Sequence, residues 1–415
     1  MVVVDQLAIW LYGDVVALLQ SNQGRLRLTY TSEALERFAL GTPLLSLSMT
    51  LRIESYTDGV VRPFIEGLLP EGEARRVIAY DLGIDEADTY GLIRALGKDC
   101  AGAMVIQPVE DPPPVTPSVS ASQPISSEEL EGLIRNLHVA PLGVEGRVKV
   151  SLAGYQEKLV LTRRQDGTWG RPVDGTPSTH ILKPEVARFP GTVANEAFGL
   201  RFVGHLGLDV ASVETIKVGS AQILVVERFD RYVNTSGEIH RIHQEDFCQA
   251  LGLLPAKKYQ NSGGPSLKRI AAALAATADV DSLDRLLRAI VVNVLLGNGD
   301  AHAKNFSLLH EGNGRLTLAP LYDLLNTFIY GDNTLAMYID DVRRVEEVTI
   351  DRILNEAVSW GMNINRARNV VDDLLGRVPA AMALARNQTE EVQPEIVKFV
   401  TDQLGRLKPI DGRCL

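Results

Sequence analysis

Asp300 and Asn305 stand five positions apart in the run Gly299-Asp300-Ala301-His302-Ala303-Lys304-Asn305. A carboxylate there can accept the proton of an attacking hydroxyl, and an amide oxygen there can hold Mg²⁺ on the phosphates of ATP. Asp323, in Leu321-Tyr322-Asp323, offers a second oxygen ligand to the same ion. The chemistry this set points to is phosphoryl transfer, which asks a protein for positioned phosphates, a metal and an oriented nucleophile. Asp300 is the expected base, and Asn305 and Asp323 are the expected metal ligands. His302 either contacts a phosphate or holds the loop by hydrogen bonds, and the second reading is preferred. The competing reading of Asp300 and Asn305 is plainer: a capping carboxylate and an amide bonded to backbone in a glycine-rich turn.

Other residues supply the rest of such a site. Lys183 ends the β-like run Ile181-Leu182-Lys183, and Glu196 lies in the helix that follows. A strand lysine paired with a helix glutamate is how kinases of the protein-kinase type reach the α- and β-phosphates. The stretch Ser151-Leu152-Ala153-Gly154-Tyr155-Gln156-Glu157-Lys158 sits before the first strand pair, where a phosphate loop belongs. It has a single glycine, so its backbone N–H groups and Lys158, not a glycine motif, would meet the phosphates. Glu227-Arg228-Phe229 ends the last strand of this unit, the place of an adenine-binding hinge, with Phe229 equally suited to plain core.

These residues need a scaffold of strands followed by helices. β-like runs occur at 7–12 and 15–19 around a Gly13-Asp14 turn, then at 148–150, 158–162, 180–183, 213–218 and 223–226. Helical patterns cover 64–80 with a break at 70–72, 127–137 with Ser127 as cap, and 193–206 closed by Gly207. In 282–296 the apolar residues Leu283, Leu286, Leu287, Ile290, Val291, Val294 and Leu295 advance by three and four, predicting a one-faced amphipathic helix. It ends in Gly297-Asn298-Gly299, which delivers Asp300. Helices resume at 350–360 and 365–375. The small residues at 97–103 suit a tight turn better than a phosphate loop. Pro112-Pro113-Pro114, Pro117 and the serines after it mark 110–127 as a linker or surface loop. The expected domains are therefore 1–109, 128–235 and 236–415.

With 415 residues, 45% of them hydrophobic and 23% charged, the chain has material for two or three cores. A net charge of −10 argues against a protein that coats nucleic acid by itself. The basic pairs Lys257-Lys258 and Lys268-Arg269 read as solvated surface. Cys100, Cys248 and Cys414 lack any metal-binding spacing, and Cys100 and Cys248 sit among apolar residues as core. That usage, an N-terminus without a basic leader and the lack of a long apolar run lead to the expectation of a cytoplasmic protein with no membrane span.

Taken together, the motifs at 151–158, 179–183, Asn195-Glu196, 226–231, 244–249, 263–265, 300–305 and 321–323 resemble the HipA family. Those proteins are bacterial serine/threonine kinase toxins of type II toxin–antitoxin modules. Leu68-Leu69-Pro70 and 97–103 resemble that family's N-terminal subdomain. The resemblance implies an α+β, protein-kinase-like two-lobed fold with an added N-terminal subdomain and a mostly helical C-lobe. It implies ATP and Mg²⁺ at Ala153, Gly154, Tyr155, Gln156, Glu157, Lys158, Lys183, Glu227, Arg228, Phe229, His302, Lys304, Asn305, Tyr322 and Asp323, with Asp300 as base. It also implies autophosphorylation of Ser151 as an off switch. The expected partners are a HipB-like helix-turn-helix antitoxin, operator DNA through it, and a protein substrate of which glutamate–tRNA ligase is the known example. Ala301, Pro184 and Tyr155 depart from the family pattern, and Tyr155 bears most on loop mobility and substrate choice. Two other readings are a small-molecule or lipid kinase and a catalytically silent antitoxin-binding co-repressor.

Overall fold

In the computed structural model of this chain, contacts divide the protein into two compact units, each assembled from separated segments. The structure describes residues 5–143, 150–154, 156–277, 281–311 and 315–408. Tyr155, the pair Val148-Lys149 and Cys414 lie outside the described residues.

The first unit comprises Met1–Pro184, Ile216–Pro255 and Leu309–Gly314. It opens with an antiparallel sheet whose strands run in the order Arg25–Tyr30, Asp14–Asn22, Gln6–Leu11, Val105–Pro108. The first turn is Tyr12-Gly13, one residue earlier than the sequence suggests, because Leu11 pairs with Asp14. Both turn residues have positive φ, 54° and 92°, the twist that a two-residue hairpin loop needs. Over the sheet lies the helix Asp58–Leu68, which buries Val61, Phe64, Ile65 and Leu68 at three- and four-residue spacing. It stops at Leu69, whose extended backbone is what the following Pro70 requires. The helix Gly72–Leu82 then restarts the chain.

The second sheet has six strands in the order Gln123–Pro124, Trp169–Arg171, Leu159–Arg163, His180–Pro184, Ala221–Glu227, Val213–Val218. Four of these match the sequence reading. Trp169–Arg171 and Gln123–Pro124 do not appear in it. The second of these sits at the sheet edge, where a proline is tolerated, and so ties part of the proline-rich stretch 110–127 to the sheet. The helix Ser127–Arg135 is capped by Ser126, not Ser127. Glu129 stands three residues after Ser126 and closes a reciprocal capping box. Leu130, Leu133 and Leu137 of this region pack with Leu159, Leu161, Leu182, Ile223 and Val225. Cys100 and Cys248 are buried, as expected.

The second unit comprises Glu185–Thr215, Ala256–Leu308 and Arg315–Leu415. It is built mainly of the helices Thr192–His205, Leu267–Thr277, Ser282–Leu296, Ile350–Ser359, Ile364–Gln388 and Pro394–Leu407. Ser282–Leu296 is not one-faced. From Leu286 to Leu296 all but Arg288 are buried, because the helices Leu267–Thr277, Ile364–Gln388 and Pro394–Leu407 all pack on it. The hairpin Thr334–Ile339 with Val342–Arg344 interrupts the helices. Among the described residues no helix is long and apolar enough to cross a membrane.

Candidate active site

Asp300 follows a helix end built to aim it. Gly297 closes Ser282–Leu296 in the left-handed region, φ 72°, and Asn298 N–H returns to Asn293 O at 2.9 Å. Gly299 has no room for a side chain: a Cβ there would lie 2.7 Å from Thr334 O. Its N–H donates to Thr327 Oγ1 at 2.8 Å, and its carbonyl accepts from Ala336 N at 2.9 Å.

The Asn298 side chain is the hub of the loop. It is 1% exposed. Its Nδ2 donates to Asn293 Oδ1 at 2.8 Å and to Asp323 O at 3.1 Å, while its Oδ1 accepts from Asp300 N at 3.2 Å. One amide thus joins the helix end, the candidate base and the candidate metal ligand. The Asp300 carbonyl accepts from His302 N at 2.7 Å and from Asn305 Nδ2 at 2.9 Å. Asn305 is therefore the backbone-bonded amide of the plainer reading, and the same bond leaves its Oδ1 as the acceptor a cation could take.

Burial pushes the Asp300 carboxyl above the usual carboxylate range. The charges of Asp323 and Asp332 push the same way, while a hydrogen bond from Tyr259 and the charge of Lys258 oppose them. A general base gains from such a rise, since basicity nearer neutrality favours proton transfer. Burial, with Lys258 adding to it, pushes His302 down to about 3, so its ring is neutral. Its Nδ1 is buried without a hydrogen-bond partner. The ring packs edge-on against Tyr259, with centroids 5.1 Å apart. The ring thus packs without a bond at Nδ1, while the backbone of His302 braces the loop, its N–H donating to Asp300 O at 2.7 Å and its carbonyl accepting from Asn305 N at 2.9 Å.

Asp323 itself adopts a left-handed φ of 51°, a conformation that costs energy for a residue with a side chain. The helix Thr192–His205 holds the chain just beyond it. Asn195 donates to Asn326 O and accepts from Asn326 N, both at 2.8 Å, with both residues wholly buried. A Cβ on Gly199 would collide with Leu324 O. Glu196 sits beside Asn195 on this helix, 4% exposed. Tyr322 braces the loop, donating to Lys304 O at 2.6 Å with Ser307 Oγ at 2.7 Å, and Lys304 is buried.

These side chains suit a divalent cation. Asn305 and Asp323 supply oxygen, and the mutual charge of Asp300 and Asp323 is what a divalent cation relieves. Among the described residues no cluster of three or more His, Cys, Asp or Glu suits a tighter metal site.

The remaining expected residues lie in the first unit. Ser151 is wholly buried: its Oγ donates to Leu68 O at 2.7 Å and its N–H to Asp99 O at 3.0 Å. Lys158 Nζ donates to Ala153 O at 2.6 Å, across Gly154 with its φ of 122°. Gln156 is half-buried and Glu157 exposed. Lys183 is 7% exposed, opposite Leu224 in the sheet. Glu227 is exposed and Phe229 half-buried. The side chain of Arg228 turns to partners within its own unit. Its guanidinium is engaged by Asp230 at 2.8 and 3.0 Å, by Ser178 Oγ at 2.8 Å and by Cys100 O at 3.0 Å, while its N–H donates to Thr179 O at 2.9 Å and its carbonyl accepts from Arg231 N at 3.2 Å.

Arg228 belongs to a buried ionic cluster with Asp99, Asp230, Arg231 and Arg241. Desolvation opposes charge on Asp99 and Asp230, but the arginines overcome it and hold both carboxyls below the usual range. The small-residue stretch 97–103 is thus an ion-paired turn. Sequence reasoning missed Asn298, Thr327, Tyr259 and Lys258. Lys258 is buried, not solvated, while Lys257, Lys268 and Arg269 are exposed.

The family model described as the HipA N-terminal domain matches residues 7–107, and that of the HipA-like C-terminal domain matches 150–382. The chain is 38% identical over 416 residues to Y4mE of Sinorhizobium fredii, provisionally named a kinase, with 97% of each chain covered. It is 34% identical to the serine/threonine-protein kinase toxin HipA of Shewanella oneidensis, over 81% of this chain and 80% of that one. A solved structure of the Shewanella oneidensis HipA, HipB and operator DNA complex matches with a TM-score of 0.80 and 28% identity, covering 96% of this chain and 95% of that one.

Proposed function

Because this chain belongs to the HipA family, we propose that it is an ATP- and Mg²⁺-dependent serine/threonine protein kinase acting as the toxin of a toxin–antitoxin pair. The observation that carries the reading is the Asn298 hub, which fixes Asp300 and Asp323 through one buried amide. Asp300 takes the proton of the substrate hydroxyl. Asn305 and Asp323 hold Mg²⁺, which neutralises phosphate charge when bound. Lys183 and residues 153–158 of the first unit, and His302 and Lys304 of the second, are the proposed ATP contacts. The hinge 227–229, with the ring of Phe229, receives adenine, and Tyr322 steadies the loop.

Ser151 is the proposed autophosphorylation site. Its hydroxyl is sealed against Leu68, so modification requires residues 150–154 to leave Leu68 and Asp99. A phosphate of about −2 charge could not return to that buried position, which supports phosphorylation as an off switch. The Shewanella oneidensis complex supports a HipB-like antitoxin, and operator DNA through it, as partners. A cytoplasmic translation factor such as glutamate–tRNA ligase is the proposed substrate.

Incubating the full chain with Mg²⁺, radiolabelled ATP and purified tRNA ligases tests the reading. Label should enter a serine or threonine of one ligase. Label on small molecules or lipids alone would favour the other kinase reading, and an inert protein the silent co-repressor.

A further inference from the structure

Tyr259 lies far from Asp300 in sequence, yet its hydroxyl donates to Asp300 Oδ1 at 2.5 Å. The backbone that carries it is clamped on both sides. Ala303 of the catalytic loop donates to Lys258 O at 3.2 Å, and Tyr338 N donates to Gln260 Oε1 at 2.8 Å. Ser262 N and Gly264 N both return to Tyr259 O, at 3.0 and 2.9 Å. Gly263 turns the chain with a φ of 85°. A Cβ on Gly264 would collide with Lys257 O and lie 2.6 Å from Tyr259 O. The His302 ring sets the tilt of the phenol from the other side.

The backbone of Asp300 is already fixed, its N–H by Asn298 and its carbonyl by His302 and Asn305. The freedom left is rotation of the carboxylate. A donor on Oδ1 removes that freedom and leaves Oδ2 as the acceptor.

We propose that Tyr259 is a positioning residue for phosphoryl transfer, holding Oδ1 of Asp300 so that Oδ2 faces the substrate hydroxyl. This rests on the kinase reading above. In the step it serves, the hydroxyl proton passes to Oδ2 as its oxygen bonds to the γ-phosphorus. The bond from that phosphorus to the β–γ bridging oxygen breaks, and ADP leaves with the electron pair. Tyr259 and Asp300 are both half-buried and Lys258 beside them is buried, so the bond is partly withdrawn from bulk water, which strengthens an oriented hydrogen bond.

Tyr259→Phe keeps the ring against His302 and deletes only the hydroxyl. On the full chain with Mg-ATP, transfer is read as label incorporated into the protein and phosphate released to water. The rate constant should fall about 10- to 100-fold, the scale of a misaimed reacting group, with the KM for ATP and the thermal midpoint unchanged. A purely structural tyrosine would lower the midpoint and spare the rate. Gln260→Ala, which releases the clamp without touching the phenol, should lower the rate by less, and it serves if the phenylalanine variant does not fold.

A wild-type rate in folded Tyr259→Phe, beside an inactive Asp300→Asn, overturns this inference alone. A fully active Asp300→Asn, or a wild-type protein that neither incorporates nor releases phosphate, overturns the kinase reading and this inference with it.

Discussion

Asn298→Ala probes the hub on which the site depends. The substitution removes hydrogen bonds of 2.8, 3.1 and 3.2 Å and strands Asn293 Oδ1, the Asp323 carbonyl and the Asp300 N–H. At about 1 kcal/mol net for each bond, and more where a buried partner stays unsatisfied, the loss is about 3 kcal/mol. In a unit of this size that lowers the unfolding midpoint by about 6–12 °C. The kinetic cost arises separately. Asp300 and Asp323 lose a shared tether, and a 1 Å misplacement of reacting groups costs about 100-fold in rate, or about 2.7 kcal/mol. Calorimetry on the free protein and single-turnover phosphate transfer well below the new midpoint measure the two effects. An unchanged midpoint would mean that the three bonds contribute nothing. A lowered midpoint with a wild-type transfer rate would refute Asn298 as the residue that positions Asp300 and Asp323.

Further expectations concern the first unit. Asp230→Asn leaves Arg228 and Arg231 with one buried carboxylate between them, so thermal unfolding should show a loss of about 3–5 kcal/mol; a loss typical of surface pairs would contradict the buried-cluster account. Burial and the neighbouring His310 push His243 down to about 3, below its unfolded value near 6.5. As pH falls through 6.5 the unfolded chain takes up this proton and the native chain does not. The contribution to stability is therefore complete above about pH 6.5 and is lost at about 1.4 kcal/mol per pH unit towards pH 3. Midpoints measured from pH 7 to 5 should decline less steeply in His243→Asn; equal slopes would remove His243 as the cause. Ser151→Ala should stay unmodified with Mg-ATP, and a phosphate mapped elsewhere by peptide mass would refute that site.

What the sequence made legible was local. The three- and four-residue spacing in 282–296 marked a helix with the bounds the structure has, and Gly297 marked its end. The spacing from Asp300 to Asn305 is a loop property and survives in the fold as a hydrogen bond between the two residues. What stayed hidden depends on contacts between distant positions. Lys258 looks solvated until the fold brings it beside Asp300, and Asn195 is an ordinary helix residue until Asn326 meets it. The Asp99 cluster joins residues more than a hundred positions apart, so 97–103 could show only its small residues.

The two hairpins make the same point through turn chemistry. Tyr12-Gly13 contains the glycine that left-handed turns favour, so the sequence locates it to within a residue. Asp340-Asp341, with φ 47° and 62°, has none. Its cost is offset by Arg352, Asn355 and Glu356, which bond the turn from the helix Ile350–Ser359. Units assembled from three separated segments each are likewise invisible to boundaries drawn along the chain at 109, 127 and 235.

The central claim is that Asp300 is the base of a phosphoryl transfer. Its most direct test is Asp300→Asn, which keeps the shape and an acceptor for Tyr259 while removing the charge. ATP binding by calorimetry and the unfolding midpoint should stay near wild type, while label transfer from ATP falls by about 10²- to 10⁴-fold, the usual worth of a general base. Transfer at the wild-type rate in a folded, ATP-binding variant would contradict the account.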